Sequence, residues 1–273
     1  MATKGILMGD MHTGNLVGLT PINFCHLGPV ESGYRCQKTQ QLREEMAMVY
    51  KHILQDIGPV DFAIHNGDAT DGMQSRQGST DLIAADWHVQ ADWAVHNLRM
   101  IQGNPEYFLT AGTNYHVMTQ NGEDIEQQIA TALDGHFNDH LFLEVEGVKI
   151  NAKHVIGASS IQHLRHSALP KERMFNEQWN NEGIQDLSDL YIRSHVHYSV
   201  GVSGTRAGKS WHAYTLPALQ NLGGKFGARM CGGVVHWGLI EVWLHQGEVI
   251  KWKPHIKILN AAKTLTKTLS SVY

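Results

Sequence analysis

Residues 4–12 read Lys-Gly-Ile-Leu-Met-Gly-Asp-Met-His, or KGILMGDMH. The apolar run predicts a short buried strand, and the polar residues that follow Gly9 predict a turn at its carboxyl end. Two further apolar runs in the first half of the chain end in the same way. VDFAIH (60–65) leads into Asn66-Gly67-Asp68, and EYFLTA (106–111) leads into Gly112-Thr113-Asn114-Tyr115-His116. The stretch therefore predicts the first of three strands that each end in a polar cluster.

Helical spacing of apolar residues fills the gaps between these strands and predicts a β-α-β-α-β unit. The carboxyl ends of parallel strands line the binding crevice of an α/β sheet. The three polar clusters are therefore expected to converge in space, although about 50 residues separate each from the next. The predicted helices cover 37–56, 80–102 and 123–134, after a long loop predicted over 13–36.

The sequence pattern of the second half of the chain predicts β-hairpins. LEV and VKI flank Glu146-Gly147 and predict a tight turn, and a helical stretch over 170–185 leads into the strand-rich 189–202. Further strands are predicted over 211–216, 234–244 and 248–253. The fold class is therefore α/β: one domain over 1–273, with two packed sheets and helices outside. We expect 201–260 to complete the second sheet.

Composition excludes several classes of protein. Hydrophobic content of 42% and a net charge of -4 indicate an ordinary globular chain rather than one with a strongly basic surface for duplex nucleic acid. Three cysteines with no C-x-x-C pair predict neither a disulfide framework nor a thiolate zinc site, and favour a reducing, cytoplasmic setting. No apolar run approaches transmembrane length, so no membrane association is expected.

Histidine is unusually frequent, with 18 residues, and three histidines of the second half have notable positions. His154 follows the predicted strand VKINAK. His195-Val196-His197 is predicted to lie inside a strand, where residues i and i+2 face the same side. With Asp10, His12 and Asp68 they form a mixed carboxylate and imidazole set, which suits Mn, Fe, Zn or Ni better than Mg or Ca. The number of ligands fits two ions that share a carboxylate.

The order of these motifs resembles that of the calcineurin-like metallophosphoesterases. The family's five blocks are written D-x-H, G-D-x-x-D, G-N-H-[E/D], a lone His, and G-H-x-H. Here they correspond to Asp10-Met11-His12, Gly67-Asp68 through Asp71, Gly112 to His116, His154, and His195-Val196-His197, all within 5–200. The resemblance implies an α/β/β/α sandwich with two divalent metal ions, Mn²⁺ being the first expectation.

The resemblance also implies a role for each matched residue. Asp10, His12 and His197 would hold the first ion, and Asp68 would bridge. His154, His195 and an amide, here Asn114, would hold the second. His116 takes the place of the family's catalytic histidine, which stabilises the transferring phosphoryl group or protonates the leaving oxygen. The implied nucleophile is a hydroxide that bridges the two metals.

The third block departs from the family pattern. Tyr115 separates Asn114 from His116, and Val117 stands where an acidic residue is usual. If the chain stays extended after Gly112, Asn114 and His116 face the same side. If it turns at once, Thr113 takes the place of the amide. The Gly-Thr-x-x-His spelling resembles that of phage-encoded and related bacterial members, for which the setting would be the host cytoplasm. In the fifth block, Ser194 replaces a glycine.

The expected reaction is hydrolysis of a phosphodiester in nucleic acid or a nucleotide, because the protein-phosphatase form of the third block is absent. A phosphomonoesterase, a mononuclear hydrolase and a non-catalytic metal-binding scaffold of the same fold are the alternatives. Thr113, Arg165 and His166 are candidates for contact with substrate phosphate, as are Lys225 and Arg229 in the glycine-rich 222–233. Gly204–Ser210 is not a P-loop, because only three residues separate its glycines.

Overall fold

The computed structural model describes residues 2–22, 30–75, 78–222 and 234–259. The strands and helices alternate in the first half, and strands dominate the second. In chain order they are β1 (Thr3–Met8), α1 (Val30–Ile57), β2 (Phe62–Asn66), α2 (Trp87–Leu98), β3 (Glu106–Thr110), α3 (Asn114–Val117), α4 (Ile125–Ala132), β4 (His136–Asn138), β5 (Leu141–Val145), β6 (Val148–Ala152), α5 (Ala168–Asn181), β7 (Leu190–Arg193), β8 (Gly201–Arg206), β9 (Lys209–Thr215), β10 (Trp237–His245) and β11 (Glu248–Lys257).

The first sheet has the order β11-β10-β1-β2-β3-β4. The strands β1 to β4 are parallel, so β1, β2 and β3 end at the same edge. Ile6 and Ala63 face a core cluster that includes Ile53 of α1 and Ala94 of α2. The helices therefore cover the outer face of this sheet and hold the three strand ends side by side.

The second sheet has the order β5-β6-β7-β9-β8. Its inner face packs on the first sheet: Leu7 and Ile64 share a buried cluster with Ile150 and Ile192. Leu169 of α5 packs with Tyr191 on the outer face. The fold is the two-sheet α/β sandwich flanked by helices that the sequence predicted, and the parallel strands β6 and β7 both end beside the crevice of the first sheet.

The prediction that 201–260 completes the second sheet is wrong for its last part. Only β8 and β9 join that sheet, whereas β10 pairs antiparallel with β1 and carries β11 with it. From Trp237 to Val242 every residue of β10 is buried, as expected for a strand covered on both faces. The hairpin is visible in the sequence, but the sheet it joins is set by packing between distant segments.

Other boundaries differ by less. The helix α1 begins at Val30, inside the loop predicted over 13–36, and α2 begins at Trp87 rather than near 80 because the Asp86 side chain caps it. Gly201–Thr215 forms the hairpin of β8 and β9, which confirms that Gly204–Ser210 is not a P-loop. Within the described residues, no helix is long and apolar enough to cross a membrane.

Candidate metal centre

The ends of β1 and β2 bring two buried carboxylates together with imidazoles. Asp10 Oδ1 lies 3.2 Å from His197 Nε2 and 3.9 Å from both His12 Nε2 and His154 Nε2. Asp68 Oδ2 lies 3.0 Å from His154 Nε2 and 3.9 Å from His12 Nε2. These are distances over which one cation could be shared by several of the groups.

Three overlapping sets of side chains have potential ligand atoms within 4.8 Å of one another. They are Asp10, His12 and His197; His12, Asp68 and His116; and Asp68, His154 and His195. His12 and Asp68 each belong to two sets. The cluster is therefore wider than one tetrahedral site, and it contains every Asp and His predicted as a metal ligand.

Glycines allow the strand ends to approach this closely. A Cβ atom on Gly112 would overlap Asp68 Oδ1, and one on Gly67 would overlap His154 Nδ1. Both separations would be shorter than any van der Waals contact. The two glycines that precede the polar residues in the second and third motifs are thus required by the site itself.

Several candidate ligands have a left-handed backbone, which is rare outside glycine. The φ angles are 50° at Asp10, 47° at His12, 56° at Asp68, 71° at His195 and 55° at His197. Each such residue costs about 1–3 kcal/mol and persists only where surrounding structure imposes it. A concentration of strained residues at one place is a mark of a functional site.

Hydrogen bonds orient the imidazoles so that Nε2 faces the cluster. His12 Nδ1 lies 2.9 Å from Asp71 Oδ1, and His154 Nδ1 lies 2.8 Å from the carbonyl of Asn66. Because a carboxylate and a carbonyl only accept, both Nδ1 atoms are assigned as donors, so in the neutral imidazoles the Nε2 lone pairs face the cluster. This pairing of an outer acceptor with a free Nε2 is usual for histidines that bind metals.

Electrostatics show that the cluster requires positive charge. Burial raises the pKa of Asp10, but His197 and His154 outweigh it and lower that pKa to about 2. Burial lowers the pKa of His154, but Asp68 and Asp10 outweigh it and raise that pKa to about 10. Two ionised carboxylates in a buried site are therefore balanced here by imidazolium, a role that a metal cation can take over.

The residues present fit a bound metal. His12 Nε2 is buried without a hydrogen-bond partner, and Asp10 Oδ1 and His154 Nε2 are buried facing other candidate ligands, His197 Nε2 at 3.2 Å and Asp68 Oδ2 at 3.0 Å. Buried polar atoms are rarely left without a partner, and a bound cation would satisfy these. Their carboxylate and imidazole chemistry suits a transition metal.

The third motif turns at once after Gly112, and this corrects the prediction for Asn114. Asn114 is exposed and begins the short α3, while Thr113 occupies the position beside the cluster. The Thr113 amide donates to Asp68 Oδ1 at 2.6 Å, and its Oγ1 lies 3.2 Å from Asp68 Oδ2 and 3.3 Å from His195 Nδ1. A hydroxyl thus stands where the resemblance implies a side-chain amide.

His116 lies over the cluster beside His12. Their ring centroids are 4.7 Å apart, and the rings are nearly perpendicular. His116 Nδ1 lies 3.0 Å from the carbonyl of Asp71, which assigns Nδ1 as the donor and leaves Nε2 free. Asp71 therefore orients both His12 and His116, through its side chain and its backbone respectively.

His195 and His197 do not lie inside a strand, contrary to the prediction. The strand β7 ends at Arg193, and both histidines follow in a loop with left-handed backbone. The loop is fixed because the His195 amide donates to Asp10 Oδ2 at 3.0 Å. The two imidazoles reach the cluster from opposite sides, near His154 and Asp10 respectively, rather than side by side on one strand face.

Two of the candidate residues for phosphate contact, Arg165 and His166, have different positions. Arg165 lines a cavity of about 410 Å³ that also includes His195 and His197. His166 is exposed and does not line that cavity. Among the glycine-rich residues, 223–233 lie outside the described ranges, and with them Lys225 and Arg229.

Some supporting residues were not singled out from the sequence. Asn66 donates to Ser194 Oγ at 2.8 Å and to the Lys153 carbonyl at 3.2 Å, which ties the end of β2 to the ends of β6 and β7. Glu126 of α4 is buried and accepts from the Ala69 amide at 2.8 Å, directly behind Asp68. A polar residue at the end of a buried strand, as in Asn66, was a signal for such a role.

Replacing Glu126 by Gln should stabilise the protein relative to wild type, and the difference in stability should increase as the pH rises. Burial and the Asp68 charge hold the pKa of Glu126 well above its usual value, so folding takes up a proton whenever the unfolded carboxyl is ionised. The stability that this carboxyl contributes is therefore present below pH about 4.5 and declines as the pH rises towards the folded pKa. Glutamine keeps the acceptor for Ala69 without this dependence.

The measurement is urea unfolding of both proteins between pH 5 and 8 with EDTA present. The advantage of E126Q should widen with pH, whereas the exposed Glu144→Gln control should show no such trend. A loss of stability in E126Q that is the same at every pH would mean that Glu126 is ionised when folded.

The five sequence blocks thus lie at the strand ends of a two-sheet α/β sandwich, around one cluster. The two-sheet arrangement is the architecture that the resemblance implied. No protein-family model and no curated protein sequence matches the chain.

Solved structures with a similar fold are distant. A single mutant of Vps29 from Entamoeba histolytica has 11% identity over 94% of this chain and 100% of its own, with a TM-score of 0.44. Wild-type Vps29 from the same organism, complexed with zinc, has 9% identity over 93% and 98%, with a TM-score of 0.41. A metallophosphoesterase from Sphaerobacter thermophilus has 11% identity over 90% and 89%, with a TM-score of 0.35. Likenesses this distant say nothing about what this chain binds or cleaves.

Proposed function

We propose that this chain is a metal-dependent phosphoesterase of the calcineurin-like family that hydrolyses a phosphodiester in a nucleic acid or nucleotide. The observation that carries the proposal is the buried cluster of Asp and His side chains at the carboxyl ends of the strands, whose potential ligand atoms lie within 4.8 Å of one another in each set. It lies beside an open cavity, so a substrate can reach it.

The ligand sets suggest how two divalent ions would be held. Asp10, His12 and His197 would bind one ion, and His154 and His195 the other, with Asp68 between them. Thr113 Oγ1, which lies 3.2 Å from Asp68 Oδ2, would take the ligand position that the resemblance gives to a side-chain amide. Bound at such sites, divalent ions acidify water and neutralise negative charge on phosphoryl oxygens.

His116 is the residue best placed for proton transfer. Its Nδ1 is held by the Asp71 carbonyl, so Nε2 is the atom that can carry a proton to the leaving oxygen. Its ring packs against the edge of His12 and is partly exposed, with 22% of the side chain accessible. His116 therefore borders both the cluster and solvent, as a group that exchanges protons with a substrate must.

A diester is favoured over a monoester by the surroundings of the cluster. The cavity is lined by His195 and His197, and none of the described residues that line it is acidic. Its volume of about 410 Å³ offers space for a second ester substituent. A monoester would leave that space unused.

The test is hydrolysis of bis-p-nitrophenyl phosphate by the purified protein with Mn²⁺. We expect activity that EDTA abolishes and that added Mn²⁺ restores, with slower release from p-nitrophenyl phosphate. Faster cleavage of the monoester would replace the diesterase proposal with a phosphomonoesterase. A protein that binds Mn²⁺ yet cleaves neither ester is a metal-binding scaffold, and the proposal of an enzyme would be wrong.

A further inference from the structure

The cavity beside the cluster contains two polar groups whose hydrogen bonds are unused. Tyr198 lines it, is only 6% exposed, and has a buried Oη without a partner. Arg165 lines it too, and its buried Nε is also without a partner. A buried hydrogen-bond donor that has no acceptor is unfavourable by about 1–3 kcal/mol. Two such donors beside one cavity therefore indicate that a ligand supplies acceptors for them.

Arg165 and Tyr198 form one preorganised unit. The Arg165 guanidinium carbon lies 4.7 Å from the centroid of the Tyr198 ring. A cation over the face of an aromatic ring is attracted by the ring quadrupole, which favours this position of the guanidinium. A guanidinium can bind two oxygens of a phosphate with two parallel hydrogen bonds.

The other residues that line the cavity suit a ligand that has both an anionic group and an apolar group. Among the described residues that line it, Arg165 is the one permanently cationic side chain and none is a carboxylate. Ala158, Val196 and Val235 supply apolar wall, while Ser159 and Ser160 add hydroxyls. The volume of about 410 Å³ lies within the usual range for small-molecule sites. A separate cavity of about 660 Å³ between α1 and α2 contains no member of the cluster.

We infer that Arg165 and Tyr198 bind a second phosphoryl group of the substrate, next to the one at the metal cluster. The inference rests on the proposed function and narrows its substrate class to molecules with two neighbouring phosphoryl groups. The second group can belong to a nucleoside diphosphate or to the next nucleotide of a polynucleotide. Arg165 is then a specificity-determining residue, because the bond that breaks lies at the cluster and not at the guanidinium.

The experiment measures binding to Mn²⁺-loaded protein by isothermal titration calorimetry, with two matched pairs of ligands. Adenosine 5′-(α,β-methylene)diphosphate is compared with AMP, and the dinucleotide pTpT with TpT, all in protein that carries His116→Ala so that the esters are not cleaved during the titration. Within at least one pair, this protein should prefer the ligand with the additional phosphoryl group. In Arg165→Met that preference should fall about ten- to hundredfold, and in Tyr198→Phe about two- to tenfold.

Arg206→Met is the matched control, because it removes one cation from a 52% exposed side chain that pairs with Glu177. Loss of preference in the first pair identifies a diphosphate, and loss in the second identifies a polynucleotide. If both variants keep the preference of the His116→Ala protein in both pairs, the inference is wrong. The result does not depend on hydrolysis, so a protein without esterase activity would still test it.

Discussion

Asp68→Asn should leave the chain folded while lowering its affinity for Mn²⁺ by more than about a hundredfold. Loss of a residue that merely orients a metal ligand lowers affinity about 10–100-fold, and Asp68 stands between two ligand sets itself. Asparagine tolerates the left-handed backbone at this position and keeps an oxygen for the Thr113 amide. The substitution therefore removes the charge with little change of shape.

Metal content after dialysis and the hydrolysis of bis-p-nitrophenyl phosphate are the two readouts for Asp68→Asn. The control is Asp186→Asn, which makes the same chemical change on a 76% exposed carboxylate that pairs with Lys149. Wild-type metal content in the asparagine variant would show that Asp68 does not hold a metal.

His116→Ala should keep the metal and lose the reaction. A positioned general acid contributes about 10²–10⁴ to the rate, and kcat should fall by that factor while metal content stays at the wild-type value. The reason is that the Nδ1 of His116 is bound to the Asp71 carbonyl and only Nε2 is free to act on the leaving oxygen. Hydrolysis of TpT measures the rate, because its leaving alkoxide needs a proton and p-nitrophenolate does not.

A second outcome for His116→Ala has a clear structural meaning, since His116 also forms a ligand set with His12 and Asp68. If the variant loses metal together with activity, His116 is a ligand and the role of proton donor is wrong. His136→Ala is the control, because His136 is 58% exposed and pairs only with an exposed glutamate, Glu106, among the described residues.

Local sequence signals predicted most of the strands and helices correctly. Glu146-Gly147 and Gln246-Gly247 both form turns with positive φ, as hairpins that join two strands with two residues require. The polar residues after β1, β2 and β3 lie at one edge of the sheet because neighbouring parallel strands end at the same edge. The sheet joined by β10 could not be predicted in the same way, because its partner β1 is more than 200 residues away.

The geometry inside the site was less accessible to prediction. The prediction for His195 and His197 assumed that alternate side chains of a strand face the same side. Both residues have a left-handed backbone instead, so strand alternation does not determine where their side chains lie. The choice between Thr113 and Asn114 depended on whether the chain turned after Gly112, and the turn is set by Asp68, which accepts from the Thr113 amide. Contacts between residues far apart in sequence decide such details, and spacing along the chain does not reveal them.

The pairing of β10 with β1 has a consequence for synthesis of the protein. The strand β1, which leads into Asp10 and His12, lies between β2 and β10, and Thr3 is opposite Leu244 in the register. A growing chain on the ribosome therefore has one side of β1 open until β10 has been made. An open strand edge is a template for wrong pairing, so this half of the metal centre is exposed to misfolding during that interval.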